Sequence, residues 1–329
     1  MGCGFAHIFP IFPYPMRGRV IKVIGNNCAV HVPEEDRVYA CLIKGRVRIQ
    51  GIRSTNPVVV GDWVHFTPDP QQEVSYIESL EPRRNYIIRR ATNLSKESHI
   101  LAANIDLALL MVTIARPRTS YTFIDRFLAT AEAYRIPTEI LINKVDDLKP
   151  DEEEVMRELT EIYTPLGYPC HPISALQHQG TDALMSLLDG KCTLIAGHSG
   201  TGKSTLLNSL IPNLELATQA ISSLYETGQH TTTYSEMYQL PAPHSGWIID
   251  TPGIKAFGTL EMSEEDTSHF FREFFAYSSD CRFANCTHLH EPGCAVLKAL
   301  EEGRIAPSRY KSYLSILQDE HSGPYRPEQ

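Results

Sequence analysis

The chain has 329 residues, enough for two or three domains that each bury a core of their own. Hydrophobic residues make up 42% of it and charged residues 21%, as is typical of globular proteins, and no apolar run approaches the roughly 18 residues of a membrane span. The net charge of −9 argues against a wholly basic nucleic-acid-binding protein, although residues 16–92 contain more Lys and Arg than Asp and Glu.

The first segment, 1–15, is apolar but has no basic region at its start and is interrupted by Pro and Gly. It therefore lacks the pattern of a secretory signal. We interpret it as a disordered extension or a misassigned start, because an ordinary domain pattern begins at Met16. From these features we predict a cytoplasmic protein without a membrane segment, and we expect a monomer.

Short strands separated by turn residues fill residues 16–92, which we assign to an RNA-binding domain. About five strands in so short a segment favour an OB-type β-barrel. The β-branched and alternating stretches predict strands at 18–24, 27–32, 38–43 and 58–66.

Basic residues in this segment form the predicted RNA-binding face. Four of them alternate along one predicted strand, which places several charges on the same side: Lys44, Arg46, Arg48 and Arg53. A second basic group is expected near the end of the domain, at 83–84 and 89–90. The aromatic residues Tyr39, Phe66 and Tyr86 are candidate stacking platforms for bases, although such residues more often belong to a core.

Residues 93–258 predict an α/β domain, because buried strands alternate with helices. The run 106–113 is continuously apolar, as expected of a parallel strand that is covered on both faces. Further strands are predicted at 139–142, 170–173 and 192–196, and helices at 123–134, 151–164 and 181–188.

Two motifs for a guanine base follow neighbouring strands of this domain. Asn143-Lys144-Val145-Asp146 lies at the edge where open α/β sheets bind ligands. The Asp146 carboxylate can accept hydrogen bonds from guanine N1–H and the N2 amino group, which adenine does not offer. Asn143 can address the N7 edge, and Lys144 can lie over the base and brace the phosphate loop. Ser174-Ala175 would supply a backbone N–H to O6. Alone, the short N-K-x-D pattern also fits a solvated turn.

A phosphate-binding loop follows at 197–204. The run Gly197-His198-Ser199-Gly200-Thr201-Gly202-Lys203-Ser204 matches G-x-x-x-x-G-K-[ST] after an apolar strand and before a helix that continues from Thr205. Backbone N–H groups of such a loop surround the β-phosphate, and the helix presents its positive end to the anion. Lys203 would reach the β- and γ-phosphates, and the Ser204 hydroxyl would ligate Mg²⁺.

Two further segments should complete the magnesium site. Asp250-Thr251-Pro252-Gly253 follows an apolar strand, so that Asp250 would hold Mg²⁺ through water and the Gly253 N–H would meet the γ-phosphate. In the polar segment 228–233, Thr232 is the expected second Mg²⁺ ligand and Thr233 the alternative.

The residue that positions the attacking water is not evident. Ile254 follows the D-x-x-G motif, and an aliphatic side chain cannot orient water, so intrinsic hydrolysis should be slow. His230 is one candidate for this catalytic role, and a group supplied by an RNA partner is the other.

The order of the motifs is that of a circular permutation. In an ordinary GTPase the phosphate loop comes first, whereas here the guanine motifs precede it. A permutation keeps every strand in place when the old ends are joined, here near 188–191, and the chain is cut after the D-x-x-G strand.

Residues 259–329 predict a helical domain built around a metal, with helices around 264–277 and 295–300. Three cysteines and one histidine give a full tetrahedral shell for one structural Zn²⁺, with no position left for water: Cys281, Cys286, His288 and Cys294. A chance cluster and a redox pair are the alternatives.

Residues 17 to about 320 resemble the ribosome small-subunit-dependent GTPase A family (RsgA, also called YjeQ or YloQ). The resemblance rests on the barrel, the permuted motifs with the His-Thr-Thr-Thr segment at 230–233, and the C-x₄-C-x-H-x₅-C spacing. It implies hydrolysis of GTP to GDP and binding to the 30S ribosomal subunit late in its maturation, with hydrolysis stimulated by that subunit. We hypothesise that the basic face of the barrel meets 16S rRNA.

Two other interpretations remain open. The chain could be a GTP-gated rRNA-binding scaffold in which hydrolysis is minor, which Ile254 favours. It could also be an ATPase or small-molecule kinase, which the N-K-x-D motif argues against.

Overall fold

The computed structural model describes residues 15–43, 57–68, 74–90, 98–212, 214, 235–250 and 264–321. Its strands and helices follow the predicted order, with a barrel first, an α/β unit next and a helical unit last. Within these ranges, no helix is both long and apolar enough to cross a membrane.

The first unit is a closed five-stranded barrel of the OB type. Its strands are β1 (Met16–Ile24), β2 (Asn27–Val32), β3 (Arg37–Ile43), β4 (Trp63–Thr67) and β5 (Ser75–Leu80). They pair in the order β1-β2-β3-β5-β4, and β4 pairs with β1 to close the barrel. Only the β3–β5 pair is parallel. The alternation seen in the sequence points Val20, Val30 and Phe66 into the core, where each is 0% exposed.

A hairpin of β6 (Tyr86–Arg90) and β7 (Ser98–Ala103) links the barrel to the next unit. Ile100 and Ala103 of this hairpin pack against Val59, and Ala102 forms a bridge with Val60, so the hairpin is tied to the barrel. The domain boundary predicted between residues 92 and 93 lies between these two strands.

The second unit is an α/β sheet whose strands are buried in its middle. It contains β8 (Leu107–Thr113), β9 (Thr138–Asn143), β10 (Cys170–Pro172), β11 (Lys191–Ala196), β12 (Glu236–Gln239) and β13 (Gly246–Asp250). The order is β10-β9-β8-β11-β13-β12, parallel except for β12 at the edge. Every residue of β8 is buried, as the apolar run predicted.

Helices of the α/β unit connect these strands. They are α1 (Tyr121–Ala133), α2 (Pro150–Tyr163), α3 (Thr181–Leu188) and α4 (Lys203–Leu210). Between α3 and β11, the Asp189 carboxylate accepts a hydrogen bond from Ser245 N–H at 2.6 Å, and Gly190 N–H donates to the Ser245 carbonyl at 2.7 Å. The link that the permutation requires is therefore a short turn tied to the start of β13.

The barrel and the α/β sheet form one continuous sheet of eleven strands. Strand β1 pairs antiparallel with β12, with Lys22 opposite Glu236. The His31 ring of the barrel also lies 4.9 Å from the Trp247 ring, centroid to centroid. The sequence patterns predict two separate units and give no indication of this junction.

The third unit contains α5 (Glu264–Thr267), α6 (Arg272–Ser278), α7 (Ala295–Glu301) and α8 (Pro307–His321). The helical region predicted around 264–277 is broken, because Phe271 is extended, with φ −99° and ψ 106°, and its ring is fully buried. The core of this unit includes Ala129 of α1, so α1 belongs to both cores.

A buried ionic cluster joins the third unit to α1. The Arg309 guanidinium on α8 donates to Asp125 on α1 at 2.6 Å and to Glu273 on α6 at 2.6 and 2.9 Å. Its side chain is 1% exposed, and that of Asp125 is 0% exposed. Tyr163 on α2 donates its hydroxyl to the same Asp125 oxygen at 2.6 Å. The helical unit is thereby fixed to the α/β unit.

Candidate nucleotide site and metal centre

The nucleotide motifs meet at one edge of the α/β sheet. Strand β9 ends at Asn143, β10 is followed by Ser174, β11 leads into Gly197, and β13 ends at Asp250. These strands are parallel, so their carboxyl ends share one side, which is where such sheets bind ligands. The predicted convergence of the base and phosphate motifs is therefore present.

Asn143 connects three of the motifs. Its amide nitrogen donates to the Thr201 carbonyl of the phosphate loop at 2.8 Å, and its amide oxygen accepts from Ala175 N–H at 2.9 Å. The side chain is buried, with 3% exposed, so these bonds form away from competing water. The brace of the phosphate loop that we expected from Lys144 is thus made by Asn143.

Two glycines allow the phosphate loop to approach its neighbours. Gly197 has φ +152°, and a Cβ there would lie 2.4 Å from the Met111 carbonyl oxygen. Gly202 has φ +100°, and a Cβ there would lie 2.4 Å from the Asn143 amide nitrogen. Any larger residue at 202 would therefore break the Asn143 brace.

Lys203 and Asp250 form the charged part of the phosphate site. The Lys203 ammonium donates to the carbonyls of Gly197 and His198 at 2.6 and 2.7 Å, across the curve of the loop. Burial lowers the pKa of Lys203, and Asp250 opposes this shift. Burial raises the pKa of the Asp250 carboxyl; Lys203 opposes that rise and Glu236 adds to it. Glu236 belongs to none of the motifs recognised in the sequence.

The residues predicted to read the base differ in whether their side chains already have hydrogen-bond partners. Asp146 is exposed in a 3₁₀ turn, and no side chain in the described part of the chain pairs with its carboxylate. The next carboxylate, Asp147, is engaged by Arg116 at 2.7 Å. Lys144 has φ +67°, and its ammonium donates to the Arg116 carbonyl at 2.7 Å. Of these two carboxylates, that of Asp146 is the one without a partner among the described residues.

Both backbone N–H groups predicted for guanine O6 already have acceptors. Ser174 N–H donates to the Gln179 carbonyl at 3.0 Å, and Ala175 N–H donates to the Asn143 amide oxygen. Donation to O6 therefore requires one of these N–H groups to be shared between two acceptors.

The remaining residues of the phosphate loop lie where the sequence placed them. The His198 ring lies against the ring of Phe123 in the first turn of α1, with centroids 3.5 Å apart and the two planes tilted by 32°. Ser199 is exposed at the loop tip, and Ser204 and Thr205 are half-buried in the first turn of α4. The Phe123 contact connects the loop to α1.

Several predicted site residues lie outside the described residues. They are His230, Thr232 and Gly253 of the catalytic and magnesium set, and Lys44, Arg46, Arg48 and Arg53 of the RNA-binding face. Of the other barrel candidates, Phe66 is fully buried, so it cannot stack on a base. The Arg83 side chain is not available to contact RNA, because it donates two hydrogen bonds to the buried Asp62 carboxylate.

The four predicted metal ligands cluster in the third unit. The ligand atoms of Cys281, Cys286, His288 and Cys294 all lie within 4.8 Å of one another. The Cys281 and Cys294 sulfurs are 4.0 Å apart, and His288 Nδ1 lies 3.7 and 3.4 Å from them. A tetrahedral Zn²⁺ would require about 3.8 Å between sulfurs and about 3.6 Å between sulfur and nitrogen. The cluster can therefore hold one metal ion.

Backbone groups support this cluster. Ala295 N–H points at the Cys281 sulfur and Leu297 N–H at the Cys294 sulfur, both at 3.4 Å, as expected around metal-bound thiolates. From α8, the Tyr310 hydroxyl donates to the His288 carbonyl at 2.9 Å. The ligand loop is thus held in place by the helices beside it.

The strand order, the phosphate loop between β11 and α4, and the guanine motifs ahead of that loop define a circularly permuted P-loop GTPase. A family model described as RsgA GTPase matches residues 80–260, and one described as RsgA N-terminal domain matches residues 17–77. The chain belongs to the RsgA GTPase family. Such an enzyme uses Mg²⁺ together with GTP.

Relatives of known name match over nearly the whole chain. A Porphyromonas gingivalis protein named small ribosomal subunit biogenesis GTPase RsgA is 56% identical over 95% of this chain and 100% of its own length. One of the same name from Bacteroides fragilis is 54% identical over 94% and 99%.

Two solved structures share the fold. YjeQ from Thermotoga maritima has a TM-score of 0.76 and 33% identity, and the match covers 93% of this chain and 99% of that one. YloQ, described as a circularly permuted GTPase, has a TM-score of 0.72 and 25% identity, with 96% and 98% covered.

Proposed function

We propose that this GTPase acts in the biogenesis of the small ribosomal subunit, in the late maturation of the 30S particle, and that the particle stimulates its hydrolysis of GTP. The support is the name of relatives that are more than half identical over their whole length. The structural support is the Asn143 brace, which holds the base and phosphate motifs as one site. The expected cellular place is the cytoplasm, with 16S rRNA as the RNA contact and a monomeric protein.

The nucleotide would lie along the carboxyl edge of the α/β sheet. Asp146 would accept the two guanine donors, and the loop N–H groups with Lys203 would hold the phosphates. The full set of GTP-binding residues is Asn143, Lys144, Asp146, Ser174, Ala175, Gly197, His198, Ser199, Gly200, Thr201, Gly202, Lys203, Ser204 and Thr205.

The magnesium site would be formed by oxygen ligands, which Mg²⁺ prefers. The half-buried Ser204 hydroxyl and the Asp250 carboxylate lie at the same sheet edge, and Thr232 would add the second hydroxyl. When bound, Mg²⁺ neutralises charge on the β- and γ-phosphates. Gly253 would contact the γ-phosphate, and His230 is proposed to orient the attacking water.

GTP turnover measured with purified 30S subunits tests the proposed function. We expect stimulation of at least about tenfold, because a partner that supplies a missing group raises the turnover of other GTPases by about 10³ or more. The 50S subunit serves as the control and should have no effect. Equal turnover with 30S, with 50S and without either would contradict the proposal.

The second candidate, a GTP-gated rRNA-binding scaffold, is favoured by Ile254. It predicts that GTP strengthens binding of the protein to 30S subunits while turnover remains slow in their presence. If the basic face Lys44, Arg46, Arg48 and Arg53 carries this binding, it should weaken steeply with salt.

For the cluster in the third unit we propose one structural Zn²⁺, because three thiolates and one imidazole fill its shell. Purified protein should contain about one equivalent of zinc by elemental analysis. Cys286→Ala should reduce this to less than half and loosen the helices around the site, since metal binding and folding are coupled. Cys170→Ala, at a half-buried cysteine of β10 outside the cluster, is the matched control and should retain its zinc.

A further inference from the structure

A row of four charged residues crosses the junction between the barrel and the α/β sheet. Lys22 on β1 lies opposite Glu236 on β12, and its ammonium is 2.7 Å from the Glu236 carboxylate. Glu236 in turn lies opposite Asp250 on β13, and Asp250 interacts with Lys203 of the phosphate loop. The row therefore has two carboxylates in its middle and one ammonium at each end.

The two carboxylates lie on the same face of the sheet. Residues directly opposite in an antiparallel pair have Cβ atoms about 4.5–5.5 Å apart, and like charges in such a pair repel. Two acids side by side next to a phosphate-binding loop would also repel a nucleotide. This arrangement suits a divalent cation, for which carboxylate oxygens are preferred ligands.

Lys22 of the barrel supplies a positive charge that partly offsets the negative charge of Glu236. The side chains of Lys22 and Glu236 are 43% and 29% exposed, so their attraction is weakened by water but not removed. Their strands meet at one register pair. A shift of the barrel away from β12 would therefore separate the ammonium from the carboxylate and leave the charge of Glu236 uncompensated.

We propose that Glu236 is a positioning residue for the Mg²⁺ of the GTPase, and that Lys22 of the barrel lowers the Mg²⁺ affinity by offsetting its charge. Glu236 acts through Asp250 and is not itself a ligand. The inference rests on the proposed nucleotide site. This arrangement couples the position of the barrel to Mg²⁺ affinity. A partner that draws the barrel away from β12 would separate Lys22 from Glu236 and strengthen Mg²⁺ binding.

Two substitutions that change the local charge in opposite directions, Glu236→Gln and Lys22→Gln, test this proposal. In Glu236→Gln the Mg²⁺ concentration that half-maximally slows release of fluorescent GDP should rise by about threefold to tenfold, the size expected for one unit charge acting on a divalent cation across a partly hydrated path. Binding of fluorescent GDP in EDTA should become tighter in this variant, because one negative charge is removed. Lys22→Gln should change both quantities in the reverse direction.

The signs distinguish an electrostatic role from a structural one. A merely damaged site would weaken GDP binding in EDTA in both variants, and that result, or no change in either, would overturn the proposal. The double variant should lie close to the unaltered protein. Lys298→Gln and Glu302→Gln, from an exposed pair in the third unit, are matched controls and should leave both quantities unchanged. If the unaltered protein fails to bind GDP, the nucleotide site itself is refuted.

Discussion

Replacing Arg309 with Met should lower the free energy of unfolding of the C-terminal unit by about 3–5 kcal/mol. The substitution preserves most of the side-chain volume but removes the guanidinium that pairs with Asp125 and Glu273, whose side chains are 0% and 5% exposed. Burial already raises the pKa of Asp125, and Arg309 opposes this rise. Without the guanidinium the two carboxylates would remain buried without a counterion, or would take up protons.

Urea unfolding followed by far-ultraviolet circular dichroism and by zinc release would measure this loss. The matched control is Arg304→Met, because Arg304 pairs with Glu302 at the surface, where an ion pair contributes little. A second variant keeps the test informative: adding Asp125→Asn and Glu273→Gln to Arg309→Met removes the stranded charges and should restore much of the stability. Equal effects of the Arg309 and Arg304 substitutions would refute the role assigned to the buried cluster.

This cluster also bears on how the nucleotide and the C-terminal unit communicate. Asp125 lies two residues after Phe123, whose ring contacts the His198 ring of the phosphate loop. Helix α1 therefore contacts the loop with its first turn and the C-terminal unit with its next residues. The structure therefore places a connection between the phosphate loop and the C-terminal unit through α1.

The local elements were predictable because each has a local cause. Strand β2 and helix α3 have the predicted bounds, since alternation and helical periodicity are set by residues close in sequence. The phosphate loop and the Cys/His cluster could be recognised from residue types and spacing, because both patterns need fixed residue types at short separations.

The remaining features depend on pairs that are far apart in the sequence. Nothing near Arg309 indicates that its partner is Asp125, and nothing near Lys22 indicates Glu236, because these contacts follow from how whole units dock. The break at Phe271 was not predicted for the same reason. The Phe271 ring is buried in the core of the third unit, and helix propensity along the sequence does not depend on that packing. Glu236 would have been noticed only once the register of β12 against β13 was known.

Replacing Asp146 with Asn should transfer the preference of the site from guanine to xanthine nucleotides. The exposed carboxylate of Asp146 would accept hydrogen bonds from guanine N1–H and from the N2 amino group. An amide has one oxygen and one NH₂ group, so it can accept from N1–H but meets the N2 amino group with a second donor. Xanthine carries an oxygen at that position, which the amide NH₂ can donate to.

We expect GDP affinity to fall by about 10²-fold, since one charged hydrogen bond is lost and a donor faces a donor. Affinity for xanthosine diphosphate should rise by a similar factor, as measured by competition with fluorescent GDP. Asp147→Asn is the matched control one residue further on, because that carboxylate is held by Arg116. Unchanged preference for GDP in Asp146→Asn would show that this carboxylate does not read the base, and would reopen the assignment of the 143–146 turn to guanine recognition.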